Sequence, residues 1–133
     1  MKSIKVPFLT GFVDLDRFAK AAVDVVDWPD EYPYKPDVVL AIAHDSEKLY
    51  IRFDVKEGNV RAVTTEAEGP VWEDSCVEFF VKEPDSPYYF NFETNCIGVG
   101  LSARRLSRND FERLSPEMLA TVKRRSSLPA ASL

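Results

Sequence analysis

The feature that most restricts what this chain can fold into is strict apolar–polar alternation, repeated in short runs with turn residues between them. In KLYIRFDVKE, Leu49, Ile51, Phe53 and Val55 fall on one side, while Tyr50, Arg52, Asp54 and Lys56 fall on the other. A two-residue period is the signature of a strand covered on one face. The preceding run, Val38 to Ala43, is apolar throughout, as in a strand covered on both faces. The turn His44-Asp45-Ser46-Glu47 joins the two runs into a β-hairpin. After a Gly58-Asn59 turn, Val60 to Thr65 reads as a weaker strand. Cys76 to Val81 then alternates, with Val77, Phe79 and Val81 opposed to Cys76, Glu78 and Phe80. A turn at Pro84 to Pro87 leads into Tyr88 to Asn95, where Tyr88, Phe90 and Phe92 oppose Tyr89, Asn91 and Glu93. Gly98 and Gly100 interrupt before a short strand, Leu101 to Arg104. Short strands with frequent turns and almost no helix specify an all-β fold, an antiparallel β-sandwich.

The flanks are less regular. Ile4 to Leu9 could form a first strand, with Pro7 favouring an edge. Asp14 to Val23 reads as a brief helical turn capped by Asp14. Asp27 to Asp37 carries Trp28, Tyr32 and Tyr34 among three prolines, an ordered loop whose aromatics have area to bury. After Arg105 the strand pattern stops. Ser115-Pro116-Glu117 opens a single-turn helix through Val122, and KRRSSLPAASL follows as a loose tail. The expected organisation is a β-sandwich domain over residues 1–105, then a C-terminal extension over residues 106–133.

The 133 residues suffice for one domain with its own core. A net charge of −5 argues against nucleic acid, which needs a clustered basic face. The charge is uneven, with seven basic and three acidic residues from Arg104 onward. Arg104-Arg105 and Lys123-Arg124-Arg125 lack interleaved aromatics and read as solvated surface. No apolar run reaches membrane-spanning length, and the first residues lack a secretory leader's apolar stretch. Cys76 and Cys96 fit neither a disulfide framework nor a metal-ligand spacing, so buried thiols are expected. His44, the lone histidine, reads as a solvated turn residue. No serine or cysteine nucleophile has an arguable partner, and no glycine loop could cradle phosphate.

One stretch stands out chemically. In GPVWEDSCVEFFV, Gly69 to Val81, a loop tryptophan, Trp72, precedes a strand-borne carboxylate, Glu78. Sugar rings stack on aromatics and their hydroxyls seek fixed acceptors, so this pairing suits a sugar-binding surface. The bland alternative is a packing tryptophan beside a solvated acid. If Cys76 to Val81 pairs with Tyr88 to Asn95, then Cys76, Glu78, Phe80, Tyr89, Asn91 and Glu93 share one sheet face beside Trp72.

Three motifs, VLAIAHDSEKLYIRFDV, GPVWEDSCVEFFV and YYFNFETNCIG, occur in the order and at the spacing of the family-9-like carbohydrate-binding modules, which the chain resembles from about Ile4 to Leu128. These are xylanase-associated β-sandwich domains. The resemblance implies that Trp72 is one wall of an aromatic clamp around a terminal sugar and that Glu78 hydrogen-bonds its hydroxyls. It extends more weakly to Asn91 and Glu93 on the following strand. It further implies a non-catalytic role on polysaccharide or oligosaccharide and an extracellular or periplasmic setting. Structural calcium is known in the family. Here Asp14, Asp16, Asp24, Asp27 and Asp30 lack a calcium-loop spacing, so no metal or other cofactor is assigned.

Family domains continue for many tens of residues, with further strands and the second aromatic wall. The resemblance therefore implies a C-terminally truncated member, weak binding, and open sheet edges that favour homodimerisation. Two other readings stay open. One is a glycoside hydrolase using Glu78 and Glu93. The other is a structural or interaction domain that binds no glycan.

Overall fold

The computed structural model describes residues 2–128. The chain is all-β, with strands in two antiparallel sheets and only 3-10 turns and one short α-helix besides, consistent with a β-sandwich. It divides into two compact units, one ending at Gly58 and the other beginning at Asn59.

The first unit holds β1 (Ala19–Ala22), β2 (Asp37–His44) and β3 (Leu49–Lys56), in that order across the sheet. The β2–β3 hairpin forms as the alternation requires, paired from Asp37 with Lys56 to His44 with Leu49. Asp45 closes its turn, the carboxylate accepting from the backbone N–H groups of Glu47 and Lys48 and from the Tyr50 hydroxyl. Leu9, Phe18, Ala41 and Ala43 form the core, with Tyr50 packed against them. Four sequence expectations change here. The segment before Leu9 makes only a parallel bridge between Phe8 and His44 rather than a strand. Between Asp14 and Val23 the helix is a 3-10 turn, Leu15–Arg17, capped by Asp14 as expected. The chain then extends as β1, because pairing with β2 outweighs the weak local preference of Ala-Lys-Ala-Ala. His44 ends a strand rather than occupying the turn, its ring edge-on to Phe8 at 5.3 Å. Trp28, Tyr32 and Tyr34 are exposed, not buried, although the Tyr34 hydroxyl accepts from the Gly58 N–H.

The second unit holds β4 (Cys76–Val81), β5 (Tyr89–Asn95), β6 (Gly100–Arg105) and β7 (Phe111–Arg113), each paired antiparallel with the next. β7 lies beyond Arg105, where the sequence pattern stops. Its three residues are too short a run to show a period, and pairing with β6 defines it. α1 (Pro116–Leu119) starts where Ser115 caps it, the hydroxyl accepting from the Met118 N–H. The weak strand expected at Val60 to Thr65 does not form, because its N–H groups bond to side chains instead. Cys76, expected to be buried, is an exposed free thiol on β4. The last five residues of the expected loose tail lie outside the described residues.

Candidate functional site

The register of β4 on β5 sets Glu78 directly opposite Glu93, and Phe80 opposite Asn91. The register of β5 on β6 adds Ala103 beside Asn91 and Arg105 beside Tyr89. β7 places Arg113 beside Ala103 and Phe111 beside Arg105. One face of the four-stranded sheet thus collects Glu78, Glu93, Asn91, Arg105 and Arg113.

Asn91 joins these groups. Its Nδ2 donates to Glu78 Oε1 at 3.2 Å and to Glu93 Oε1 at 3.0 Å, while its Oδ1 accepts from Arg105 Nε at 2.6 Å. The amide is thereby oriented by its surroundings, with its oxygen toward the cation and its nitrogen toward the acids. Asn91 and Glu93 are buried and form a floor, whereas Glu78 and Phe80 are exposed. Glu93 Oε2 is buried without a hydrogen-bond partner. Burial, and then the adjacent charge of Glu78, push the Glu93 carboxyl up, against the opposing pull of Arg105 and Arg113.

Trp72 sits in a 3-10 turn, Val71–Glu73, which packs against β4 and β5. Val71 is fully buried beside it, and Trp72 itself is 56% exposed. The turn is held by Asp74. This carboxylate accepts from the N–H groups of Val63 (3.0 Å) and Thr64 (2.9 Å) and from Asn95 Nδ2 (3.1 Å), with Arg61 Nε at 3.7 Å. Asn95 in turn donates to the Thr64 carbonyl and accepts from the Val99 N–H. Burial alone would raise the Asp74 carboxyl, but the Val63, Thr64 and Asn95 donors and the Arg61 charge together hold it below its usual value.

All four sequence-derived candidates therefore lie in the second unit. Glu78, Asn91 and Glu93 are in one hydrogen-bonded group, and Trp72 stands in the turn leading into β4. Two positively charged residues and two anchoring residues escaped the sequence reading. Arg105 had been assigned to solvated surface. The signal that could have found it is strand parity, which puts Arg105 on the face of Tyr89 and Asn91. Arg113 lies on the unforeseen β7, and Asp74 and Asn95 act across 10 to 31 residues of sequence. Among the described residues no three His, Cys, Asp or Glu side chains gather where they could hold a metal ion. No described helix is long and apolar enough to cross a membrane.

Comparison with known proteins gives two matches. The family model for carbohydrate-binding family 9 matches residues 8–133. The crystal structure of a candidate carbohydrate-binding protein from Bacteroides uniformis ATCC 8492 superposes with a TM-score of 0.80 at 42% identity, covering 86% of this chain and 52% of that one. The chain thus spans about half the length of the solved structure it matches. No curated protein matches.

Proposed function

The chain belongs to carbohydrate-binding family 9, and from that premise we propose a non-catalytic module that binds a polysaccharide or oligosaccharide of plant or host origin, xylan included, beside a glycan-degrading enzyme. In this reading a sugar ring stacks on Trp72 and its hydroxyls bond to Glu78, with Asn91 and Glu93 beneath. The observation that carries it is the Asn91 amide holding two carboxylates at 3.2 and 3.0 Å on β4 and β5, with a 56% exposed tryptophan in the turn that packs against the same two strands. Fixed acceptors beside a stacking surface suit a ligand that is apolar on its ring faces and rich in donors at its rim.

The hydrolase alternative, with Glu78 and Glu93 as its two carboxyls, predicts release of reducing sugar that is lost in Glu78→Gln. Calorimetric titration with xylo- and cello-oligosaccharides tests the binding reading. Binding that is weakened about fivefold in Trp72→Ala, and weakened too in Glu78→Gln, is expected. Unchanged affinity in Trp72→Ala refutes the site, and no response across a broad glycan array favours a purely structural domain.

A further inference from the structure

The sugar-facing side of the sheet is electrically divided. Its β4–β5 end carries Glu78 and Glu93, and its β6–β7 end carries Arg105 and Arg113. Both guanidinium groups lie over one ring, Arg105 Cζ at 4.3 Å and Arg113 Cζ at 5.3 Å from the Phe111 centroid. Phe111 and Arg113 are exposed. Among the described residues neither arginine has a carboxylate bonded to it. Arg105 donates to neutral oxygens, Asn91 Oδ1 and the Arg108 carbonyl. Arg113 makes no hydrogen bond or ion pair among the described residues. The contrast lies on the opposite face of the same strands. There Arg104 on β6 is neutralised by Glu112 on β7 at 2.9 Å. Two cations sharing a ring repel each other, and solvated lysines would serve equally well if only solubility were at stake. An aromatic platform instead holds the planar forks in place with their outer N–H groups presented.

We propose that the Arg105–Phe111–Arg113 cluster is an acidic subsite, which takes the carboxylate of a uronic acid residue in a glycan whose neutral hydroxyls are held at the Glu78 end. Guanidinium matches a carboxylate with two parallel N–H···O bonds, which a hydroxyl cannot supply. Three strand spacings separate β4 from β7, about 14 Å. The ligand's negative group therefore meets Arg113, on β7, at the far end of the face from Glu78 on β4, and this order of charge fixes which way the glycan lies across the strands. Net acidity of the whole chain, −5, makes this cationic end locally specific rather than generally anion-attracting.

The proposal rests on the carbohydrate reading above, and its test separates the two. Oligosaccharides of glucuronic and of galacturonic acid are titrated alongside their neutral methyl esters and alongside sulfated neutral oligosaccharides. An acid should bind about tenfold more tightly than its ester, and the preference should fall as salt is raised. Arg113→Ala should remove that preference, the acid falling to the affinity of its ester. Arg113→Lys, which keeps the charge without the fork, should restore only part of it. Equal binding of acid and ester refutes the acidic subsite and leaves the glycan reading standing. Preference for sulfated sugars overturns the carboxylate assignment. Absence of all binding overturns both.

Discussion

Glu78 and Glu93 stand directly opposite each other on β4 and β5 and accept hydrogen bonds from a single amide nitrogen, that of Asn91. Burial, and then the charge of Glu78, raise the Glu93 carboxyl above its ordinary value of 4.5. The folded protein therefore holds this proton more tightly than the unfolded chain does. Its stabilising contribution is complete below the unfolded value and is lost as pH rises through the folded one. Urea denaturation should show stability from this source declining as pH rises above about 4.5, and Glu93→Gln should flatten that decline. Parallel pH profiles for parent and variant would remove the argument.

Asp74 titrates in the opposite sense. Its folded value lies below 3.8 because its donors outweigh its burial, so its contribution is present above that pH and lost as pH falls through the folded value. Asp74→Ala leaves the Val63 and Thr64 N–H groups and the Asn95 amide without their acceptor. A loss of about 2–4 kcal/mol is expected. Amide exchange at Val63 and Thr64 should accelerate more than at the centre of β5.

Trp72→Ala should act on binding and not on folding. The side chain is exposed, so stability should change by about 0.5 kcal/mol or less. Removing one stacking surface should weaken glycan binding by about 1 kcal/mol, roughly fivefold. Thermal melting and calorimetry on the same preparation separate the two effects.

Cys76 offers an optical check on the acidic end of the site. Its thiol is pushed up to about 11, first by burial and then by the charges of Glu93, Glu78 and Asp74. Alkylation near pH 8 should therefore be slow for a residue that solvent reaches. Glu78→Gln should accelerate it, and an unchanged rate would mean that Glu78 does not act on the thiol.

β3, β4 and β5 were legible because each is long enough to display a two-residue period, and β2 because it is an unbroken apolar run. β1 and β7, with four and three residues, display none and exist through their neighbours. Residues 60–65 read as a strand because Val60, Val63 and Thr65 suit one. What the sequence could not disclose is that Asp74, ten residues on, would take the N–H groups a ladder needs. Similarly, Glu78, Asn91 and Glu93 were legible as one face once two alternating strands were paired. Arg105 was misread because a charge at a strand end looks the same whether it meets solvent or an amide. Its partner, Asn91, lies fourteen residues earlier and is recognisable only through register.

The Asp74 clasp has a bearing on recognition as well as on folding. It ties residues 61–64, the Trp72 turn and the end of β5 to one carboxylate, and Val71 is sunk fully into the interior next to the tryptophan. The indole is thus mounted on backbone fixed by its own hydrogen bonds. If a sugar stacks there as proposed, docking incurs little ordering entropy at that wall, which leaves more of a modest contact energy to appear as affinity.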